Sequence, residues 1–142
     1  MTVTLPIFGI FVAVLVSFFL NFLYFGPKTM FPVWWRAMGR SDTEQPGTGQ
    51  NMAAVFGLTF VASIAMAFTM SWVIQAAAAL YATDITFWWG ALIGASMGVG
   101  IAAATSLGHR LFASHGLKVW AIEVGGDIIG LTAMGAVLSI YV

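Results

Sequence analysis

The sequence predicts an all-α, polytopic membrane protein: four transmembrane helices, with a short interfacial helix between the first and the second. Three observations predict it. Hydrophobic residues make up 61% of the chain and charged ones only 7%, whereas a soluble domain carries about a quarter charged residues. The apolar residues gather into four runs, each near the roughly 20 residues needed to cross a hydrocarbon core. With 142 residues in all, little remains beyond four spans and their connections, so residues 1–142 are expected to form a single integral membrane domain.

The spans are expected at about residues 6–26, 52–81, 87–108 and 119–141. The first run lacks a basic leader and a small-residue cleavage site followed by a polar chain, so it reads as a retained helix. After it, "KTMFPVWWRAMG" sets Phe31, Trp34, Trp35 and Met38 at helical spacing beside Lys28 and Arg36. The polar, Pro- and Gly-containing "RSDTEQPGTGQ" follows, so an interfacial helix with a flexible tail is expected. The third connection, "HRLFASHGLK", again mixes bases with apolar residues.

Charge sets the topology. Lys28, Arg36 and Arg40 lie in the first connection and Arg110 and Lys118 in the third, while the short turn around Asp84 has no base. The positive-inside rule makes the basic side cytoplasmic, with both termini outside, in the plasma (cytoplasmic) membrane, a cell inner membrane in bacteria. Tyr24, Trp34, Trp35 and Trp120 then form an inner aromatic belt, and Tyr81, Trp88, Trp89 and Tyr141 an outer one. Lys28, Arg36, Arg110 and Lys118 are expected to meet anionic headgroups, so membrane lipids are the first partners.

Several chemistries drop out. The chain has no cysteine, which removes disulfides, thiolate metal sites and thiol nucleophiles. Gly94-Ala95-Ser96-Met97-Gly98 fits G-x-S-x-G, but a nucleophile elbow needs a strand, a sharp turn and a helix, and this stretch lies mid-helix. His109 is about 20 Å further along that helix, out of reach of Ser96, and His115 is in the turn. There is no phosphate loop, dinucleotide fingerprint or metal-ligand spacing, so no cofactor, no metal and no enzymatic activity are expected. Five bases against five acids leave no basic surface for nucleic acid.

The stretch "FLYFGPKTMFPVWWRAMG" and the last helix, "IEVGGDIIGLTAMGAVLSIYV", resemble the family of small bacterial and fungal membrane proteins catalogued as domain of unknown function 1761. Tyr24, Pro27, Trp34 or Trp35, and Gly39 match that family's aromatic-Tyr-x-Pro stretch and its following Trp and Gly. Glu123 takes the polar position of the last helix, while Gly126 and Asp127 stand where the family commonly has Tyr-His. The resemblance covers nearly the whole chain and implies a four-helix membrane fold without an assigned activity.

Glu123 and Asp127 interrupt an otherwise apolar helix. An ionisable residue at a helix centre costs about 2.5–3.5 kcal/mol on insertion scales, so such residues face protein or water. Four-residue spacing puts both on one face with Gly126 and Gly130 nearby. Gly90, Gly94 and Gly98 form a matching small-residue stripe on the third helix, suited to close helix packing, and the same α-helical period carries it through Ala102 and Thr105 to His109. A candidate inner-leaflet polar or ion site of Glu123, Asp127, His109 and Asn21 follows, with Arg110 or Lys118 as a counter-charge. Two functions fit: a structural or accessory bundle that forms a homo-oligomer or packs against a membrane complex, or a small proton- or cation-coupled transporter or channel. The first is preferred, because the second and third spans carry no charged residue in their deeper half that could continue an ion path outward, Thr59, Thr69 and Gln75 being the only plausible polar steps, and no proline breaks a span.

Overall fold

The computed structural model describes residues 4–142, and among these every regular element is a helix. They are α1 (Ile7–Tyr24), α2 (Phe31–Ala37), α3 (Met52–Tyr81), α4 (Phe87–Met97), α5 (Ala104–Phe112) and α6 (Gly116–Leu138). A π-helical turn, Gly98–Ala103, joins α4 to α5 without a break, so Phe87–Phe112 is one span. With α1, α3 and α6 it makes four helices long and apolar enough to cross a membrane, and the short α2 lies between the first and second.

Local chemistry sets the ends. The Asn51 side chain accepts from the Ala54 amide at 3.2 Å and starts α3, and Thr86 does the same for Trp89 at the start of α4; both satisfy an amide left over by the first turn. α3 stops at Ala82, which adopts a left-handed conformation with φ 50°. Between α5 and α6 the chain reverses in three residues, with positive φ at Ser114 and Gly116. That tight reversal leaves His109 and Arg110 within the last turn of α5 and Lys118 in the first turn of α6. The interfacial helix is shorter than its sequence period predicts: Lys28–Met30 form turns before it and Gly39 takes φ 78° after it.

α6 is the centre of the bundle, packing along α4 on one side and α1 on the other. Each contact relies on missing side chains. A Cβ on Gly94 would fall on the Leu131 carbonyl, one on Gly90 on the Gly135 carbonyl, and one on Gly98 would lie 2.9 Å from the Ile128 Cα. Gly126 and Gly130 serve a different neighbour: added Cβ atoms would lie 2.8 Å from Asn21 Oδ1 and 2.8 Å from Ser17 Oγ, both on α1. The two glycine sets therefore sit on different sides of α6 and do not face each other. Met70, Ile74, Val14, Met134 and Leu138 are fully buried where α1, α3 and α6 meet.

α3 is attached along one narrow stripe, Ser63, Ala67, Met70, Ser71 and Ile74. Its first two turns, from Met52 to Thr59, are exposed, so this half stands away from the bundle. The π turn has the opposite effect on the third span, which stays packed but changes phase. A π turn takes one residue more than an α turn, so the inward face advances by about one position. The buried series runs Gly90, Gly94, Gly98 and then Ala103, followed by the half-buried Ser106 and Arg110. The α-period reading of Ala102, Thr105 and His109 as the continuing stripe is therefore displaced by one residue.

Candidate functional site

Arg110 and Glu123 form the centre of a latch at the basic end of the bundle. The Arg110 Nε donates to Glu123 Oε2 at 2.5 Å, with the two side chains only 33% and 19% exposed. Trp34 of α2 donates its indole N–H to the other carboxylate oxygen, Oε1, at 2.9 Å. Arg110 Nη1 lies 3.0 Å from His115 Nδ1. Both carboxylate oxygens thus accept a hydrogen bond, and the charge of each partner is offset by the other, which a half-buried ion pair requires.

The latch joins α2 to the α5–α6 hairpin, which the chain separates widely from it. Tyr24 adds α1 by donating its hydroxyl to the Ile122 carbonyl at 2.8 Å, one residue from Glu123. The Gly125 backbone lies beneath the Tyr24 ring, where a Cβ would overlap the hydroxyl. Trp120 donates to the Ala103 carbonyl at 3.0 Å, an acceptor at the end of the π turn. Trp34 also sits in an aromatic cluster: its ring centroid is 6.3 Å from Phe25 and 5.8 Å from Phe31, and Phe31 stacks on Trp35 at 5.6 Å. Trp35 donates to the Ser41 carbonyl at 3.0 Å and lies beneath the Arg40 guanidinium.

The predicted four-residue cluster is divided. Glu123 is in the latch. His109, exposed on the far side of α5, is not part of it, because the π turn places Arg110 on the α6 side instead. Asn21 donates to the Ser17 carbonyl of its own helix at 3.2 Å, and reaches neither acid. Asp127 makes no ion pair with a described residue and opens on a cleft. That cleft, of about 600 Å³, lies between α1, α6 and the splayed half of α3; Phe22, Phe25, Phe56 and Met66 line it with Asn21, Thr59 and Ala102. Lys28 and Lys118 are exposed, and Arg36 lies 3.8 Å from Asp42 in the exposed loop. Among the described residues no group of acids and histidines is arranged to hold a metal.

Sequence reasoning missed Trp34 and His115 as latch members, treating the first as belt and the second as turn. The sequence offers Arg110 or Lys118 as the counter-charge; the one-residue advance of the third span decides for Arg110, and a glycine-rich run such as Gly98-Val99-Gly100 shows where a helix can widen without showing that it does.

Fold and latch together define a four-span helical membrane protein closed at its basic end by a half-buried Arg–Glu pair and an interfacial tryptophan. Residues 8–139 match the family described as protein of unknown function, DUF1761, and the chain belongs to that family. No curated protein and no solved structure matches it.

Proposed function

We propose that this protein is a non-enzymatic, structural or accessory bundle of the cytoplasmic membrane that self-associates through the outward face of its third span, with its basic end in the cytoplasm. The observation that carries this is a second small-residue series, Gly100, Ala104 and Gly108. Nothing lies within 4 Å of a Cβ placed at Gly100 or Gly108, and Ala104 is exposed. Val99 and Ile101 flank the series and are 59% and 52% exposed. In lipid, helices associate where small residues let backbones approach and van der Waals contact replaces looser lipid packing. The inward glycines are already occupied by α6 and α1, whereas this face is free for a second copy or for a span of a larger complex.

The latch supports the same reading. Glu123 is hydrogen-bonded at both oxygens and paired, which suits a residue that fixes α2 and the α5–α6 turn rather than one that releases an ion at each cycle. Thr59 and Thr69 donate to carbonyls of their own helix, and Gln75 bonds Ser71, so among the described residues these side chains form no hydrogen-bonded chain from the acids outward. The test is the oligomeric state in nanodiscs: Gly100→Leu with Gly108→Leu is expected to give monomers of unchanged helicity and thermal stability, and an unchanged oligomer would reject the interface.

A second reading, a cation site at the basic-end half, is favoured by one observation only: Asp127 opens on the cleft without a counter-charge. Glu123 does not belong to that reading, because Arg110 already neutralises it.

A further inference from the structure

The cleft beside Asp127 combines three properties that together describe a ligand. Its volume of about 600 Å³ falls within the roughly 300–1,000 Å³ of small-molecule pockets. Its walls are aromatic and thioether surface, with polar atoms from Asn21, Ser17, Thr59 and Ser63 at intervals. Its one charged group is the Asp127 carboxylate, which lies on a spanning helix and pairs with no described cation.

A carboxylate at that depth needs a partner, and an intramembrane acid with none in its own protein marks a site for one from outside. An inorganic ion would satisfy the charge but leave the apolar volume unused. A neutral lipid tail would fill the volume but leave the charge unmet. An organic cation with a hydrophobic body does both, and aromatic faces add attraction for a cationic centre of low hydration. Access is built in, because the exposed first half of α3 leaves the cleft open between α1 and α3.

We propose that this cleft binds an amphipathic organic monocation, its charge against Asp127 and its body against Phe22, Phe25, Phe56 and Met66. The proposal rests on the second reading above, for which it names the ligand class; it does not depend on self-association. The same chemistry has two sources, a freely diffusing lipophilic amine or the ammonium head of a membrane lipid.

The experiment measures equilibrium binding of tetraphenylphosphonium to the full chain in nanodiscs of phosphatidylglycerol, a lipid without an ammonium group, with tetraphenylborate as an anion of like shape. Wild type is expected to bind the cation saturably and to reject the anion. Asp127→Asn should weaken the cation by about tenfold or more, as loss of its charge partner does. Ala102→Phe, which fills the cleft without touching charge, should weaken it as well, while both variants keep the oligomeric state of wild type. Equal affinity of wild type and Asp127→Asn, or no saturable binding, overturns the proposal, as does equal binding of the borate. Native mass spectrometry then separates the sources: phosphatidylethanolamine retained by wild type and lost from Asp127→Asn assigns the cation to a lipid head, and an empty wild type that takes up tetraphenylphosphonium assigns it to a free amine. A wild type that is monomeric in nanodiscs yet binds the cation would count against the proposed assembly face and leave this site standing.

Discussion

Glu123 shows how far a single residue can be read without its neighbours. Its presence in an apolar helix requires a partner, and the candidates within reach were a histidine and an arginine adjacent in sequence. The arginine has it. Because the pair is half-buried, removing one member strands the other: Arg110→Met is expected to lower stability by about 1–3 kcal/mol, below the 3–5 kcal/mol of a fully buried pair. Arg110→Met combined with Glu123→Met should recover much of that loss, which thermal unfolding of the four members of the cycle in mild detergent would check. Glu123→Gln keeps an acceptor for Trp34 but leaves the guanidinium unpaired, so it should fall between wild type and Arg110→Met. In the loop after α2, Glu44 accepts from the Ser41 amide at 3.2 Å and pairs with Arg40 at 3.1 Å, and these hold its carboxyl below the usual carboxylate range. A lowered folded pKa means that the loop's ordering is complete above the ordinary Glu range and is lost as pH falls through the folded value. Amide hydrogen exchange at Ser41, corrected for its intrinsic pH dependence, is therefore expected to lose protection on acidification, and constant protection would contradict that role.

The helices follow from the apolar runs, and α3 ends where its sequence pattern places it because Asn51 and Ala82 bound it. What sequence could not supply is the phase of the third span. Gly90, Gly94 and Gly98 obey an α period, and nothing in their spacing announces that the next inward residue is Ala103. The widened turn is stabilised by contacts distant in sequence, among them the Trp120 indole on the Ala103 carbonyl. Deleting Ile101 is expected to turn the π turn into an α turn and leave Arg110 facing α6, whereas inserting one alanine after Ile101 should carry Arg110 off the α6 side and destabilise the bundle at least as much as Arg110→Met. An unchanged melting temperature for the insertion would show that the phase of the third span does not set the latch. Gly94→Leu should cost more than any substitution at Gly100, since its side chain would enter the Leu131 backbone, and overpacking of a close contact costs about 1–3 kcal/mol. Comparing the two variants by thermal unfolding in one detergent checks the inward and outward assignment directly.

At the scale of the molecule, α1, α6 and the third span form a continuous packed unit, and α3 is fixed to it from Phe60 onward. The fold class and the four spans were legible because lipid imposes length and composition on each helix. The partition of the polar cluster was not, since it depends on how α3 stands away from α1 and on a one-residue shift in a neighbour. That partition leaves two separate surfaces for function, a cleft with one acid and an outward small-residue face. The outward face carries the proposed role, and the absence of cysteine from the chain makes it accessible to one decisive measurement. Ala104→Cys in native membranes, oxidised under mild conditions, is expected to give a disulfide-linked dimer, because copies meeting across this face bring equivalent residues within the 4.4–6.8 Å or so between Cα atoms that a disulfide spans. Leu58→Cys, exposed on α3, should remain monomeric under the same treatment. Crosslinking of Ala104→Cys no greater than that of Leu58→Cys would contradict self-association through the third span.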